Sequence, residues 1–370
     1  MTIGLLKEIK TQEHRVGIIP PAVAELVKHG HSVVVQSGAG EGSSYGDDQY
    51  EHAGATVVPA AADVFAQADL LVKVKEPQPE EVARLEDRHI LFTYLHLAAD
   101  KELTEALTQS GCTAIAYETL EVNGRLPLLE PMSEIAGRMA SLVGSYHLAS
   151  HRGGRGILLG GVPGVKPGRV MVIGGGTAGV NAARVATGIG ADVTIVEVDF
   201  ERMRFLDITM HEAHTLYSTE ANISSLLPRL DLIVGAVLIP GAAAPKLITR
   251  EMLRQMQPGS VFVDIAIDQG GCAETSRPTT HDDPTYVEEG VLHYCVTNMP
   301  GAYARTATQA LNNSTHRWTL LIADLGLEEA CRQHPELLTG INCAKGRLTC
   351  QPVAESHSLP VAPAEEVLNI

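Results

Sequence analysis

A glycine motif in the middle of the chain could bind the phosphates of a dinucleotide. Its glycines are spaced Gly174-x-Gly176-x-x-Gly179 between two apolar runs typical of β-strands, and the second run ends at the acidic Glu197. Glycine permits the tight turn and the close approach of a pyrophosphate, while the following helix N-terminus presents free N–H groups. The Glu197 carboxylate would accept hydrogen bonds from ribose hydroxyls. This strand–turn–helix–strand order predicts a dinucleotide site, and the acid favours NAD.

Three basic or titratable side chains before residue 100 could act on a small anionic substrate. Lys75 ends the run LLVKVK, His96 ends ILFTYLH, and Arg15 lies in the loop after the first strand. Ligands bind at the carboxyl ends of the strands in such sheets. Arginine offers a fork to a carboxylate, lysine can polarise a carbonyl, and histidine can move a proton near neutral pH. The set suits a carboxylate with a carbonyl group, although spacing alone does not decide between Lys73 and Lys75.

Further candidates lie in the second half of the chain. Asp264 and Asp268 occur in VFVDIAIDQGG, which we interpret as a buried strand and its exit. Burying a carboxylate is costly unless it is paired or used. Asp268, at the exit, is the functional candidate, whereas Asp264 is predicted to be structural. Asn298 follows the strand HYCV and could hold the nicotinamide carboxamide or the substrate.

Alternating strands and helices must position these side chains. Strand-type runs are predicted at residues 2–6, 31–36, 57, 70–74, 90–95, 114–117, 170–173, 193–196, 232–237, 261–267 and 292–296. A long helix is predicted from PMSEIAGRMASLVGSYHLAS, with Ser133 as its N-cap. The fold class expected is α/β, with two Rossmann-like, doubly wound parallel sheets.

The end of the chain is too short to form a domain of its own. A helical pattern resumes near Thr306, and the remainder contains three prolines after residue 350. We therefore expect this tail to pack back on the first domain. Residues 1–130 and 305–370 would form a discontinuous catalytic domain for the substrate, and residues 131–304 an inserted NAD-binding Rossmann domain.

Composition narrows the possible partners and location. The formal net charge of −16 disfavours nucleic acid and anionic membranes, because both would repel the chain. No run approaches the ~20 apolar residues of a membrane span, and charges interrupt any signal peptide in MTIGLLKEIK. The six cysteines show neither CxxC nor metal-ligand spacing. We expect a cytoplasmic protein with reduced thiols and no metal site.

The chain resembles the NAD-dependent alanine dehydrogenase family of bacteria over nearly its whole length. The resemblance is carried by the blocks GLLKEIKTQEHRVGIIP, VKVKEP, LFTYLHLA, LPLLEPMSEIAGR, GGRGILLGGVPGV, GGGTAG, GAVLIPGAAAPKLI, DIAIDQGGCAETSRPTTHDDPT and CVTNMPGA. It implies two Rossmann-like domains, usually assembled as a homohexamer. It also implies reversible, NAD-dependent oxidative deamination of L-alanine to pyruvate and ammonia.

The same resemblance implies roles for individual residues. Arg15 and Lys75 would hold the carboxylate and carbonyl of pyruvate, and His96 and Asp268 would form the acid/base pair. Together with the motif glycines, the cofactor contacts would be Ser133, Gly174, Gly176, Thr177, Ala178, Gly179, Glu197, Arg202, Ser218, Val237, Leu238, Ile267, Asp268, Arg277, Val296, Asn298 and Met299.

Three alternatives stay open at this point. Family members often have aspartate where this chain has Glu197, and Asp199, Arg202 and Arg204 are close by, so NAD is preferred but use of NADP stays open. The chain could be the NAD-binding subunit of a proton-translocating transhydrogenase, although the His96 block and the lack of membrane segments oppose this. It could also be another amino-acid or opine-type dehydrogenase, because distinguishing a methyl from a slightly larger group is worth only ~1–3 kcal/mol.

Overall fold

Two compact units make up the protein, seen in a computed structural model that describes residues 1–237 and 244–370. The first unit comprises Met1–Met132 and Tyr303–Ile370, and the second comprises Ser133–Ala302. Each unit is built on a mainly parallel sheet with helices between its strands. The predicted α/β class with two Rossmann-like sheets is confirmed.

The strands agree with most of the apolar runs, but several end earlier than predicted. Strand β4 stops at Val72, β5 at Thr93 and β11 at Asp264, because the backbone leaves the sheet there for the loops that carry the candidate site residues. The strands of the described residues are β1 (Thr2–Leu5), β2 (Ser32–Gln36), β3 (Thr56–Val58), β4 (Leu70–Val72), β5 (Ile90–Thr93), β6 (Thr113–Ala116), β7 (Arg169–Ile173), β8 (Asp192–Glu197), β9 (Ala213–Tyr217), β10 (Leu232–Gly235), β11 (Val261–Asp264), β12 (Thr285–Glu288), β13 (Val291–Tyr294), β14 (Ile341–Ala344) and β15 (Arg347–Leu348).

The helices include one correction. The long helix begins at Glu130, so the prediction of Ser133 as its N-cap is wrong: an acid and Pro131 suit the first turn and start the helix earlier. Among the residues described, no helix is both long and apolar enough to cross a membrane. The α-helices are α1 (Pro20–Lys28), α2 (Asp47–His52), α3 (Ala61–Gln67), α4 (Pro79–Val82), α5 (Lys101–Ser110), α6 (Glu130–His147), α7 (Thr177–Gly188), α8 (Phe200–Thr209), α9 (Glu220–Leu226), α10 (Arg250–Leu253), α11 (Ala304–Leu325), α12 (Leu327–Gln333), α13 (Glu336–Gly340), α14 (Gln351–His357) and α15 (Ala364–Leu368).

The two sheets share one strand arrangement. The first has the order β15-β14-β6-β5-β4-β1-β2-β3, and the second has the order β12-β13-β11-β10-β7-β8-β9. In each sheet the first strand lies in the middle, and successive strands are added first on one side of it and then on the other. The switch points lie between the parallel neighbours β1 and β4 and between β7 and β10. Such switch points form a crevice at the carboxyl ends of the strands where ligands bind. The antiparallel edge strands β12, β14 and β15 were not predicted.

Alternation along the strands accounts for helices on both faces of the second sheet. In β7, Val170 and Val172 belong to one buried apolar cluster, whereas Met171 and Ile173 belong to another. Successive side chains of a strand point to opposite faces. Both faces are therefore apolar and covered, which fixes the strand ends as the accessible part of the sheet.

Candidate active site

The carboxyl ends of three neighbouring strands gather the candidate residues of the first unit. Arg15 lies in the loop after β1, Lys75 shortly after β4, and His96 shortly after β5. These strands are adjacent and parallel, in the order β5-β4-β1, so their loops leave the same edge of the sheet. The structure thus brings Arg15, Lys75 and His96 together at the switch point of this unit.

The structure distinguishes Lys73 from Lys75. The buried Lys73 Nζ donates to Glu8 Oε2 at 3.0 Å and to Glu81 Oε1 at 2.7 Å. Burial alone would lower the pKa of Lys73, but these two carboxylates hold it above its ordinary value. Glu8 Oε1 also accepts hydrogen bonds from the backbone N–H groups of Val74 (2.6 Å) and Lys75 (3.2 Å). Lys73 is therefore a structural cation, and Glu8 fixes the backbone that carries Lys75.

Arg15 is fully buried and already oriented by a carboxylate. Its Nε donates to Glu13 Oε1 at 2.7 Å and its Nη2 to Glu13 Oε2 at 2.5 Å. Burial opposes the charge of Arg15, but Glu13 outweighs it and raises the pKa of Arg15 above its ordinary value. The Nη1 lies 3.1 Å from Met132 Sδ. Glu13 thus binds the Nε and Nη2 edge of the guanidinium, and Nη1 faces Met132.

Glu76 joins the basic residues of this edge. Its Oε2 lies 3.7 Å from Lys75 Nζ and 3.4 Å from His96 Nδ1, and its Oε1 contacts the Lys10 Nζ. Burial would raise the pKa of the Glu76 carboxyl, but the three basic groups hold it well below its usual range. Sequence reasoning missed Glu76 as a functional residue. Its position beside Lys75, at the same strand end, was the available signal.

The backbone of His96 is held in an uncommon conformation. Its φ is 52°, a left-handed value that few residues other than glycine adopt. The Glu118 carboxylate accepts from the His96 N–H at 2.6 Å and from the Leu95 N–H at 3.1 Å, and so fixes this turn. The imidazole stacks on Tyr94 with ring centroids 5.9 Å apart. The His96 side chain is 41% exposed, so it is accessible to a ligand from solvent.

In the second unit, each glycine of the motif has the role that the motif requires. Gly174 has φ 95°, and a Cβ there would lie 2.8 Å from the Ala236 carbonyl oxygen. A Cβ on Gly179 would lie 1.9 Å from the Gly174 carbonyl oxygen, so helix and strand pack without room for a side chain. A Cβ on Gly176 would meet no atom of the described residues within 4 Å. The turn therefore leaves open space where a ligand can approach the backbone.

The start of α7 offers backbone donors to that space. The helix begins at Thr177, and the Gly176 before it provides no side-chain cap. The first bond of the helix joins the Val180 N–H to the Gly176 carbonyl at 3.0 Å. The N–H groups of Thr177, Ala178 and Gly179 have no acceptor inside the helix. These amides, at the positive end of the helix dipole, fit the pyrophosphate of a dinucleotide.

Glu197 is tied to the glycine turn. Its Oε2 accepts from the Gly175 N–H at 2.7 Å, and its Oε1 from the next two backbone N–H groups at 2.6 and 3.1 Å. Arg202 Nε donates to the Gly175 carbonyl at 2.5 Å. A carboxylate has about four acceptor positions, so Glu197 keeps capacity for ribose hydroxyls. Asp199, the other acid nearby, caps α8 by accepting two first-turn N–H groups at 2.8 and 3.1 Å.

The two aspartates of the next strand end differ in environment. Asp264 is fully buried and accepts from two backbone N–H groups at 3.0 and 2.9 Å and from the Ser276 hydroxyl at 2.5 Å. Burial raises the pKa of Asp264. Its role is structural, as its sequence context suggested. Asp268 is exposed, in the 3₁₀ turn after β11, and its Oδ1 lies 3.4 Å from the Asn298 N–H after β13.

The other predicted cofactor residues also occur in the second unit. Ser218 donates its N–H to the Glu197 carbonyl at 2.9 Å, and Arg277 lies over the Tyr286 ring at 3.9 Å. Leu238 lies outside the described residues. Val237 follows β10, and Ile267 lies in the turn after β11. Val296 and Met299 follow β13, and Ser133 lies on α6. Their contact with a cofactor stays a prediction, as does the pairing of His96 with Asp268, which belong to different units.

Two doubly wound units, one with a dinucleotide-type glycine turn and one with basic and titratable groups at its switch point, define a nucleotide-dependent enzyme of the Rossmann class. Residues 4–136 match the family model "Alanine dehydrogenase/PNT, N-terminal domain", and residues 140–351 match "Alanine dehydrogenase/PNT, C-terminal domain". The chain belongs to the alanine dehydrogenase/PNT family. The family resemblance inferred from the sequence is confirmed.

Individual relatives match from end to end. The chain is 52% identical to the alanine dehydrogenase of Halomonas elongata and 50% identical to that of Methanococcus maripaludis, with 100% of both chains covered in each case. A solved L-alanine dehydrogenase matches with a TM-score of 0.93 at 48% identity, covering 97% of this chain and 99% of that one. A transhydrogenase from Sinorhizobium meliloti matches with a TM-score of 0.80 at 25% identity, covering 95% and 99%.

Proposed function

We propose that this protein is an L-alanine dehydrogenase, which catalyses the reversible oxidative deamination of L-alanine to pyruvate and ammonia with NAD. The observation that carries the proposal is the end-to-end match, at about half of all positions, to relatives named alanine dehydrogenase. The geometry of both units supports it. One has donors for a pyrophosphate, and the other has groups that bind an anion and move protons.

The second unit would hold the cofactor. The amides at the start of α7 suit the pyrophosphate, Gly176 leaves room for it, and Glu197 has acceptor capacity for the adenosine ribose. When bound, NAD accepts the hydride that leaves the Cα of alanine. The negative charge of Glu197 would repel the 2′-phosphate of NADP, which supports NAD as the preferred cofactor.

The first unit would bind the substrate. Arg15 would hold the carboxylate through its guanidinium, which Glu13 orients and which is buried at this strand end. Lys75 would donate to the carbonyl oxygen of pyruvate and stabilise negative charge that develops there. Glu13 and Glu8 would keep these groups in place, because they fix the Arg15 guanidinium and the Lys75 backbone.

Proton transfer is assigned to His96, with Asp268 as its partner. After hydride loss the substrate is an iminium, and water must add to its carbon. His96 would accept a proton from that water and return it to the amine nitrogen. As ammonia leaves, the remaining hydroxyl proton of the carbinolamine would pass to solvent water, so that pyruvate forms and His96 ends in its starting state. We further propose that the enzyme is cytoplasmic and homo-oligomeric, a hexamer by family resemblance.

An NADH-formation assay over a panel of L-amino acids tests the proposal. Alanine should give the highest kcat/KM, and in the reverse direction pyruvate should exceed glyoxylate and 2-oxobutyrate. A preference for another amino acid would favour a different dehydrogenase on the same fold. Binding of NAD without NADH formation from any amino acid would favour a transhydrogenase subunit, the activity for which the Sinorhizobium meliloti relative is named.

A further inference from the structure

Glu76 faces the imidazole of His96 with a carboxylate oxygen that has no other hydrogen-bond partner among the described residues. Its Oε2 lies 3.4 Å from His96 Nδ1, is buried, and makes no hydrogen bond of normal geometry within residues 1–237 and 244–370. The other oxygen, Oε1, is taken by the Lys10 Nζ. A small rotation of the imidazole would complete the bond between Oε2 and Nδ1.

The charge of Glu76 decides which imidazole nitrogen carries a proton. Burial disfavours its ionised form, but His96, Lys75 and Lys10 together keep the pKa of Glu76 below its usual range, so it is a carboxylate. A carboxylate only accepts hydrogen bonds. Glu76 therefore stabilises the form of His96 in which Nδ1 is protonated. In a neutral imidazole of this form, the lone pair lies on Nε2.

The second nitrogen of His96 is suited to react. In the part of the chain that the structure describes, no hydrogen bond involves His96 Nε2. The ring is limited on one side by the stacked Tyr94, and the backbone is fixed by Glu118. These contacts restrict the imidazole to a few orientations, with Nδ1 toward Glu76.

We propose that Glu76 is a positioning residue, which holds His96 in the tautomer with its proton on Nδ1 so that Nε2 exchanges the proton in catalysis. This rests on the proposed function, where His96 is the acid/base. In the water-addition step, Nε2 takes a proton from water while the oxygen bonds to carbon. The imidazolium that results is stabilised by Glu76, and it returns the same proton to the departing amine, while the hydroxyl proton of the carbinolamine passes to solvent water as the carbonyl forms.

A purely structural role makes a different prediction. If Glu76 only clamps its loop to Lys10, its loss should loosen the site and raise the KM for pyruvate. If it orients His96, its loss should lower kcat instead. The KM should not rise, because removing a negative charge beside Lys75 does not weaken the binding of an anionic substrate.

Glu76→Gln is the informative variant because it keeps the shape and removes the charge. We expect kcat for pyruvate reduction to fall by ~10-fold or more, with the KM for pyruvate unchanged or lower. Glu76→Asp keeps the charge and should recover kcat to within about fivefold of wild type. Glu80→Gln is the matched control, since Glu80 is exposed on the following helix, and it should leave both constants unchanged.

The tautomer can be measured without turnover. In ¹⁵N-histidine-labelled protein, with His96→Asn used to assign the signal, wild type and Glu76→Asp should show the proton on Nδ1, and Glu76→Gln a shift toward Nε2. An unchanged tautomer in Glu76→Gln, or a lower kcat with a raised KM, would overturn the proposal. If Glu76→Gln does not fold, an Nε2-protonated His96 in wild type or Glu76→Asp would overturn it. If wild type forms no NADH from alanine, the proposed function fails, and the spectra still decide the tautomer.

Discussion

The two switch points of this protein have the same strand order and opposite chemistry. Beside β7 the crevice is formed by main chain: among the described residues no atom lies within 4 Å of a Cβ on Gly176, and the first amides of α7 have no acceptor inside the helix. Beside β1 the strand ends carry ionised and titratable side chains. Lys73 pairs with Glu8 and Glu81, and Glu76 lies beside Lys75 and His96. A pyrophosphate needs close approach to fixed N–H donors, whereas proton transfer needs titratable groups that can be oriented. One topology thus supplies the place, and local residues supply the function.

The largest effect on activity is expected at Lys75 and not at Lys73, two positions before it in the chain. Lys75→Ala should lower pyruvate reduction by ~10³-fold or more, because a charge and a proton donor at the carbonyl are lost. Folding should be little affected, and NADH binding, measured by fluorescence titration, should persist. Lys73→Met is the contrasting variant. It leaves Glu8 and Glu81 buried without their cation, so it should lower the free energy of unfolding by ~3–5 kcal/mol. The reverse pattern would show that the wrong lysine was assigned.

His96→Ala should have the next largest effect. We expect the turnover of deamination to fall by ~10²-fold or more, the usual scale for a general acid–base residue, with NADH affinity near that of wild type. Because the side chain is 41% exposed, the melting temperature should change little. His52→Ala, at an exposed position of α2, is the control and should retain full activity. Activity above about a tenth of wild type in His96→Ala would refute the assignment.

A pair of glycine variants tests the main-chain character of the other switch point. Gly179→Ala places a Cβ against the Gly174 carbonyl and should reduce both the free energy of unfolding, by ~1–3 kcal/mol, and NADH binding. Gly176→Ala meets no atom of residues 1–237 and 244–370 within 4 Å, so it should leave folding intact and weaken only NADH binding. Thermal unfolding with and without NADH distinguishes the two. Equal stability losses in both variants would show that open space at Gly176 is not a ligand site.

The same contrast explains what the sequence could predict. The glycine turn is local, since three residues within six carry its backbone requirements, and Glu197 was placed by its strand end. Two of the acids that orient the first site, Glu8 and Glu118, are far in sequence from the residues that they hold. Glu8 contacts Lys73 across 65 positions, and only the folded sheet brings them together. The antiparallel β14–β15 edge was missed for a related reason, because a strand of two residues has no periodicity to detect.

The smallest effect concerns the choice between NAD and NADP at Glu197. Glu197→Gln removes the charge that repels a 2′-phosphate but keeps an oxygen for the Gly175 N–H, so the glycine turn should remain intact. The NADP-to-NAD ratio of kcat/KM should rise by at least tenfold, which corresponds to ~1.4 kcal/mol. Arg202 limits the gain, because its Nε is already bound to the Gly175 carbonyl and only the rest of its guanidinium can meet a phosphate.

Asp199→Asn is the control for that measurement. The Oδ1 of Asp199 accepts hydrogen bonds from the first turn of α8. Because asparagine caps helices about as well as aspartate, neither the stability nor the NADP-to-NAD ratio should change. Steady-state kinetics of wild type and both variants with each cofactor decide the matter. If Asp199→Asn changes the ratio and Glu197→Gln does not, Asp199 is the acid that contacts the ribose. Glu197 would then serve only to hold the glycine turn against β8. The cofactor choice of the second unit would depend on Asp199, whose contacts in the structure are those of a helix cap.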